Sequence, residues 1–233
     1  MKKVLITGAN GQNGRLLSYI YLKKNFKVFG FVKNKKNKVK GVKYIVNNLL
    51  SKKKVRLQLE NIQPQIVIHL ASANNSYNQR IKKDNYKINY LYNLNITKKL
   101  VNALIESKIK TRFIFAGSSI MYGNTKKKIV DEKDVFFSKE YYGKYKIDAH
   151  KFILNKSNQK FNSTTAILFN HDSIYRGKKF LIPRIIKAFK NKNVNFLRKI
   201  YSENISGDFS HASDICNGIY KISKKNKNIK KII

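Results

Sequence analysis

The sequence predicts an α/β protein with a doubly wound parallel sheet and a small C-terminal lobe. Two observations carry this prediction. Short apolar runs alternate with stretches of helical periodicity as far as residue 169. The first of these runs leads directly into a glycine-rich turn, and the turn is followed by a helical pattern.

Five apolar runs have the length and composition of buried parallel strands. They lie at residues 3–7, 27–32, 65–70, 112–116 and 164–169. Helical patterns fall between them at residues 15–24, 89–107 and 142–158. Strands that alternate with helices predict right-handed crossovers and therefore parallel pairing.

The segments between these elements are mostly charged. Residues 33–43 and 51–54 predict loops or the start of a helix rather than domain linkers. After Asn170 the regular alternation is lost, which predicts an irregular lobe above the carboxyl ends of the strands. The last residues before Ile233 have the pattern of a further strand, so we expect this lobe to be truncated.

The composition is that of a globular chain, with 42% hydrophobic residues. The single cysteine, Cys216, excludes an internal disulfide and a cysteine-rich zinc site. The first apolar run is too short for a signal peptide, and no run reaches the roughly 18 residues that cross a bilayer. We therefore expect a cytoplasmic protein that has no membrane partner.

The net charge of +38 raises the question of a polyanionic partner. Lysine far outnumbers arginine and is spread from Lys2 to Lys231, in a chain that is also rich in asparagine and isoleucine. This mixture is typical of drift in an AT-rich genome, whereas base-reading interfaces depend on arginine. Nucleic-acid binding is therefore the weaker interpretation, although the charge would attract an anionic nucleotide.

The segment TGANGQNG, residues 7–14, follows the first predicted strand. Its glycines, Gly8, Gly11 and Gly14, allow the backbone to approach a pyrophosphate that sits on the helix N-terminus. We therefore expect a Rossmann-type dinucleotide site. At the end of the second strand, where an acidic residue would bind the ribose of NAD, stands Lys33. A cation there favours the 2′-phosphate of NADP, with NAD as the alternative.

The segment YYGKYK places Tyr142 and Lys146 on one face of a predicted helix. An ammonium beside a phenol favours the phenolate, so we expect a lowered pKa for Tyr142 and a role in acid–base chemistry. Ser118 follows an earlier strand in the segment AGSSIMYG. With the glycine turn, these three residues predict hydride transfer at a carbinol or a ketone, with Ser118 holding the reacting oxygen.

Together these motifs resemble the extended short-chain dehydrogenase/reductases, the NAD-dependent epimerase/dehydratase family. Within that family, GANGQNG, AGSSIMYG and ILFNHDSIYRGKKF are most similar to the GDP-mannose 4,6-dehydratases. The resemblance implies a homodimeric enzyme without a metal that modifies a nucleotide sugar, with a GDP-sugar favoured. It also implies an NAD(P)-binding Rossmann domain at residues 1–169 and a partial substrate-binding lobe at residues 170–233.

Carried over position by position, the resemblance implies residues for each part of the site. The cofactor contacts are Gly8, Asn10, Gly11, Gln12, Asn13, Gly14, Lys33, Asn48, Leu49, Leu70, Ala71, Ser72, Ala73, Asn74, Tyr86, Tyr142, Lys146, His171 and Arg176. The substrate contacts are Ser119, Asn170 and Arg184, and the catalytic set is Ser118, Tyr142 and Lys146. A structural histidine and a solvated arginine remain the alternatives for His171 and Arg176.

Two positions depart from the dehydratase pattern. Where that pattern has a glutamate, two residues before Tyr122, this chain has Ile120, which cannot remove a proton. Gly207 stands where a basic residue would bind the substrate diphosphate. The reaction therefore stays open among dehydratase, 4-keto reductase and epimerase. A non-catalytic dinucleotide or polyanion binder is an alternative of another class.

Overall fold

The computed structural model describes residues 1–73, 84–123, 125, 127, 129–158, 160–203, 207, 209–225 and 229–233. The strands are β1 (Lys3–Thr7), β2 (Lys27–Val32), β3 (Lys43–Val46), β4 (Ile66–His69), β5 (Thr111–Ala116), β6 (Phe161–Ala166), β7 (Asn170–Asp172), β8 (Phe209–His211) and β9 (Lys231–Ile232). The helices are α1 (Gln12–Lys23), α2 (Lys52–Ile62), α3 (Asp84–Glu106), α4 (Tyr141–Lys156), α5 (Leu181–Lys190), α6 (Val194–Ser202) and α7 (Ala212–Lys224). A short 3₁₀ helix, Ser119–Tyr122, follows β5.

The main sheet of the described residues has seven strands in the order β3-β2-β1-β4-β5-β6-β9, and its pairs are parallel. The chain moves outward in one direction from β1 and in the other from β4. Doubly wound folds bind their ligands at the carboxyl ends of two such neighbouring strands. This topology confirms the predicted Rossmann-type α/β fold.

Apolar layers cover both faces of the sheet. Helices α2, α3 and α4 pack on one face around Leu100, and α1 and α7 pack on the other around Leu17. Successive side chains of β1 enter opposite layers, since Leu5 belongs to the first and Val4 and Ile6 belong to the second. The central strands are therefore buried on both sides, as parallel strands usually are.

The predicted bounds of β1 and β2 are confirmed, but the predicted strand at 164–169 is wrong in position. The strand begins at Phe161 and contains Ser163 and Thr164, which are fully buried although they are polar. Arg112 donates a hydrogen bond from Nη2 to Thr164 Oγ1 at 2.7 Å. Such pairing allows hydroxyl residues inside the sheet, where a search for apolar runs does not find them.

Other elements were not predicted. Strand β3 was missed, and α2 begins at Lys52, within the segment 51–54 that allowed a loop or a helix start. The helix start is correct, because Ser51 Oγ accepts a hydrogen bond from the Lys54 backbone N–H at 3.3 Å. The prediction of irregular structure after Asn170 is wrong, because β7, α5, α6, β8 and α7 follow in order.

The chain after β6 divides between two places. Strands β7 and β8 pair in a separate parallel sheet, and α5 packs against α6. Helix α7 packs against α1, and β9 extends the main sheet beside β6. The division into domains at residue 169 stays a prediction. In the described part of the chain, none of the helices is long and apolar enough to span a membrane.

Candidate active site

A cavity of about 1080 Å³ lies beyond the carboxyl ends of β5 and β6. Residues of the 3₁₀ turn, of the first turns of α3 and α4, and of the segment from β7 to α6 form its walls. The predicted site residues that line it are Ala73, Tyr86, Ser118, Ser119, Tyr142, Asn170, His171, Arg176 and Arg184. Sequence positions far apart therefore converge on one cavity.

The floor of the cavity is the turn after β5. Ser118 has extended backbone angles, φ −157° and ψ 146°, and precedes the 3₁₀ helix. The Ser119 N–H donates a hydrogen bond to Leu168 O at 2.9 Å, which joins this turn to the end of β6. Ile120 lines the cavity next to these serines, so the wall is apolar at this point.

Gly143 brings α4 close to this floor. A Cβ atom at Gly143 would overlap Ser138 Oγ and would lie 2.9 Å from Ile120 O. The first turn of α4 therefore lies directly against the 3₁₀ turn. Because Tyr142 immediately precedes Gly143, this contact also sets the position of Tyr142 relative to Ser118.

Lys146 lies beneath the cavity and is only 2% exposed. Its Nζ donates a hydrogen bond to Ala116 O at 2.6 Å and lies 4.7 Å from the centre of the Phe115 ring. The distance from Nζ to the centre of the Tyr142 ring is 5.4 Å, so the predicted pair does share one face of α4. Burial lowers the pKa of Lys146 to about 7, which places its titration near neutral pH.

The predicted lowering of the Tyr142 pKa is wrong. Burial raises the pKa of this phenol, and a hydrogen bond with Ser72 and the charge of Arg176 oppose the rise without reversing it. The ammonium of Lys146 is directed to the Ala116 carbonyl instead. In this structure Tyr142 is therefore a proton donor at neutral pH.

The glycine turn has the geometry of a pyrophosphate seat. Gly8 has a φ of +69°, and a Cβ there would lie 3.2 Å from the Ala71 backbone. Gly14 packs the turn itself, because a Cβ would overlap Gly8 O and would lie 2.6 Å from Ala9 Cα. Gly11 begins α1 without a side-chain cap or an acidic residue in the first turn, which leaves a positive helix end for an anion.

Two side chains of this turn reach across to β7. Asn13 Nδ2 lies 2.8 Å from His171 Nε2, and Gln12 Oε1 accepts a hydrogen bond from Ser173 Oγ at 3.1 Å. His171 Nδ1 lies 2.6 Å from Phe169 O, which can only accept, so Nδ1 carries the proton. Burial lowers the pKa of His171, in agreement with a neutral ring. The protein thus engages both ring nitrogens and links β7 to α1.

The loop after β2 folds back onto the glycine turn. Asn10 Nδ2 donates hydrogen bonds to Asn34 O at 3.1 Å and to Lys36 O at 3.3 Å. Lys33 is exposed, and its Nζ lies 4.6 Å from the centre of the Tyr92 ring. This loop therefore presents cations beside the turn, where the 2′-phosphate was predicted.

The loop after β3 contributes Asn48 and Leu49. Asn48 is exposed, and its Oδ1 accepts a hydrogen bond from Leu50 N at 3.1 Å. Leu49 is buried with a φ of +62° and belongs to the core around Leu100. The Leu49 side chain anchors the loop in the core, so Asn48 is the one of these two residues that a ligand can reach.

A buried hydrogen-bond chain that sequence analysis missed lies behind the glycine turn. Thr7 Oγ1 is 2.8 Å from His69 Nδ1, and His69 Nε2 is 3.0 Å from Thr97 Oγ1. Thr97 donates its one hydroxyl hydrogen to Asn93 O at 2.8 Å, so His69 donates from Nε2 and accepts at Nδ1. Burial and then the charge of Lys146 lower the pKa of His69 to about 3, which keeps the ring neutral.

This chain of hydrogen bonds fixes the loop after β4, which includes the predicted cofactor contacts Leu70, Ala71 and Ser72. Thr7 Oγ1 accepts hydrogen bonds from the N–H groups of Leu70 and Ala71 at 3.2 and 3.1 Å. The Asn93 side chain makes two hydrogen bonds with the backbone of Ala73. Its Oδ1 accepts from the Ala73 N–H at 2.7 Å, and its Nδ2 donates to Ala73 O at 2.8 Å. A sequence signal existed, because Asn93 and Thr97 stand four residues apart on one helix face.

Two arginines bring positive charge to the cavity. The guanidinium carbon of Arg176 lies 3.8 Å from the centre of the Phe180 ring. Its Nε is buried, lies 3.9 Å from Asp172 Oδ2, and has no hydrogen-bond partner among the described residues. Arg184 lies over the Phe196 ring at 4.7 Å. A buried, unsatisfied guanidinium nitrogen beside the cavity fits a phosphate group of a ligand.

Asn170 lies at the cavity edge, where a Cβ on Gly207 would approach its Nδ2 to 3.2 Å. The predicted contact at Asn74 lies outside the described residues. Within the described ranges, the histidine, cysteine and acidic side chains form no group of three or more that could hold a metal ion.

Comparisons with known proteins show which family the chain belongs to. GDP-mannose 4,6 dehydratase 2 of Arabidopsis thaliana is 25% identical over 246 residues, which cover 97% of this chain and 66% of the relative. UDP-glucose 4-epimerase of Mycoplasma genitalium is 26% identical over 253 residues, with coverage of 95% and 71%. The chain spans about two thirds of the length of its dehydratase relatives.

The fold has close structural counterparts. UDP-glucose 4-epimerase from Brucella ovis, solved in complex with NAD, matches with a TM-score of 0.82 at 16% identity, over 100% of this chain and 77% of that one. UDP-glucose 4-epimerase from Thermotoga maritima, solved with UDP-glucose, gives 0.80 at 15% identity, with coverage of 97% and 75%. The family model for GDP-mannose 4,6 dehydratase matches residues 5–233. The chain therefore belongs to the GDP-mannose 4,6-dehydratase family, within the extended short-chain dehydrogenase/reductases, as its motifs predicted.

Proposed function

We propose that the chain is an NAD(P)-dependent enzyme that modifies a nucleotide sugar by hydride transfer at C4 of the sugar. The observation that carries the proposal is the convergence of Ser118 and Tyr142 on one cavity, with Lys146 directly beneath it. This cavity lies at the sheet edge where doubly wound folds bind their ligands. Family membership supports a nucleotide-sugar substrate, and a GDP-sugar is favoured.

Each member of the set has a separate role. Ser118 holds the sugar oxygen, and Tyr142 exchanges the proton of that oxygen. Lys146 orients the cofactor ribose. Because its pKa is about 7, a small change in its environment can protonate or deprotonate its amine at neutral pH. The dinucleotide, when bound, supplies the hydride chemistry. The raised pKa of Tyr142 keeps the phenol protonated in the empty site, so that it can donate a proton to the oxygen of an arriving ketone.

The residues of the glycine turn fit a dinucleotide, and we propose NADP with NAD as the alternative. Gly8 and Gly11 leave room for the pyrophosphate, and the exposed Lys33 stands at the end of β2. His171 and Arg176 complete the cofactor side. A homodimer, a cytoplasmic location and the division into residues 1–169 and 170–233 belong to the same proposal.

The test is incubation with a panel of GDP-, dTDP- and UDP-sugars and both dinucleotides, followed by mass spectrometry. We expect Tyr142→Phe to lower turnover by about 10²–10⁴-fold, because it removes the acid–base group. Dinucleotide affinity should be unchanged. The control is Tyr141→Phe, which alters the neighbouring phenol and should keep most of the turnover. Unchanged turnover in Tyr142→Phe would refute the assignment.

A 4-keto reductase or an epimerase is the second candidate, and Ile120 is the observation that favours it. The side chain at this point of the wall is apolar, and neither reaction needs a carboxylate there. A product that gains two hydrogens from a 4-keto sugar identifies a reductase, and a product of unchanged mass identifies an epimerase. Tighter binding of DNA than of NADP at physiological salt would favour the polyanion binder instead.

A further inference from the structure

We propose that Glu140 is the general base that allows this site to remove the proton at C5 of the sugar and so to eliminate water. The inference rests on the proposed function, because the proton next to a carbonyl becomes acidic only after C4 has been oxidised. It goes further by assigning a second proton transfer to a residue outside the Ser118–Tyr142–Lys146 set.

Glu140 lies on the same cavity as Tyr142 and Ile120. It is the N-cap residue of α4, and Gly143 follows one turn later. The Gly143 position lies against Ile120 O, as its 2.9 Å distance to an added Cβ indicates. Helix positions three apart are neighbours, with about 5–6 Å between their Cβ atoms. The Glu140 carboxylate can therefore extend into the space in front of Ile120.

The carboxylate of Glu140 is also unused by the protein. The Glu140 side chain accepts no hydrogen bond from the N–H groups of the first turn of α4. Among the described residues it makes neither a hydrogen bond nor an ion pair. Its oxygens are therefore open to a ligand in the cavity.

The other two carboxylates on the cavity are less suited to this role. Asp172 Oδ1 accepts a hydrogen bond from Ser173 N at 3.0 Å, and Oδ2 lies beside Arg176 at 3.9 Å. Glu203 follows the end of α6, on the lobe that faces α4 across the cavity. Glu140 alone shares a helix turn with Tyr142, the group that handles the neighbouring oxygen at C4.

The reaction balances with the groups named. The deprotonated fraction of Tyr142 takes the C4 hydroxyl proton as the hydride leaves C4, and Glu140 then takes the proton from C5. The electron pair of the broken C5–H bond forms the C5–C6 double bond as the C6–O bond breaks. The proton on Glu140 passes to the departing hydroxyl, which leaves as water. A bound dinucleotide would give the hydride back to C6, and the proton on Tyr142 passes to C5, so the net change is the loss of one water.

The test uses Glu140→Gln, which keeps the shape and removes the base. In heavy water with the nucleotide sugar and the dinucleotide, we expect loss of water and deuterium uptake at C5 to fall by about 10²–10⁴-fold. Reduction of the dinucleotide, followed by its near-ultraviolet absorbance, should persist. Calorimetric affinity for the nucleotide sugar should also be retained, so the loss would lie in turnover and not in binding.

The control and the rescue variant make the result specific. Glu132→Gln alters an exposed carboxylate away from the cavity lining and should leave water elimination unchanged. Adding Ile120→Glu to Glu140→Gln places a carboxylate on the adjoining wall and should restore elimination. Rescue would support a chemical role for Glu140, because Ile120→Glu supplies a carboxylate but would not repair a structural defect that Glu140→Gln had caused in α4.

Two outcomes would overturn the inference and leave the proposed function standing. One is a wild-type protein that reduces the dinucleotide but neither loses water nor exchanges C5. The other is Glu140→Gln with wild-type rates of elimination and exchange. A wild-type protein that transfers no hydride to any substrate would overturn the proposed function and this inference with it.

Discussion

The glycine turn and the wall of the cavity that α5 and α6 form are built differently. At the glycine turn, a Cβ added to Gly14 would overlap backbone atoms, and Thr7 and His69 are buried in one hydrogen-bond chain. In the wall, α5 buries one residue, Ala188, and α6 buries none. Tyr201 on α6 is 89% exposed. The glycine turn, the proposed dinucleotide seat, is therefore preformed, whereas α5 and α6, the proposed substrate wall, are packed on one face only.

Gly14→Ala should break the preformed side and have the largest effect. The added Cβ would overlap Gly8 O and would lie 2.6 Å from Ala9 Cα, which are both backbone atoms of the glycine turn. Moving this turn should cost roughly 3 kcal/mol or more and abolish dinucleotide binding. Urea unfolding and a dinucleotide titration measure the two effects.

The matched control for this substitution is Gly218→Ala. Gly218 lies within α7, and a Cβ there would have no neighbour within 4 Å. Alanine in place of glycine inside a helix should raise the free energy of unfolding by about 0.5–1 kcal/mol. Equal destabilisation by both substitutions would contradict the tight packing inferred for the glycine turn.

His69→Gln should have the next largest effect and adds a pH dependence. Gln cannot satisfy both Thr7 and Thr97 with the geometry of the imidazole, so we expect a loss of about 1–3 kcal/mol at neutral pH. In the wild type, the pKa of His69 is about 3 in the folded protein and lies below its unfolded value. The unfolded chain therefore binds more protons in the window between about pH 6.5 and about pH 3, and stability falls as the pH falls through that window.

The measurement for His69→Gln is urea unfolding at several pH values between neutral pH and about pH 4. Because the variant lacks the imidazole, its stability should fall less on acidification. His150, whose pKa burial lowers to about 4, contributes with the same sign in both proteins, so it cancels in the difference. Parallel pH profiles would show that His69 is not the buried neutral group described here.

Tyr201→Ser should have the smallest effect, and it tests whether α6 is as exposed as the structure shows. The side chain is 89% exposed, so its removal should change the free energy of unfolding by less than about 0.5 kcal/mol. Thermal unfolding at two protein concentrations measures it. A loss well above that value, or one that depends on concentration, would mean that another surface covers α6.

The same contrast explains what could be predicted from the sequence. The glycine turn and the bounds of β1 and β2 follow from local spacing, so they were predicted correctly. The pairing of His69 with Thr97 joins residues 28 positions apart, and no local pattern encodes it. The rise in the Tyr142 pKa was missed for a similar reason. Spacing places Lys146 near the phenol, whereas burial depends on the whole fold.

The hydrogen bond between Asn13 and His171 has a consequence for the order of folding. It joins positions 158 residues apart, so α1 is synthesised long before its partner on β7. At a synthesis rate of about 5–20 residues per second, the interval is roughly 8–30 seconds. During that time, Gln12 and Asn13 have no contact with His171 or Ser173. The proposed dinucleotide would therefore meet, during this interval, a glycine turn that still lacks its contacts with β7.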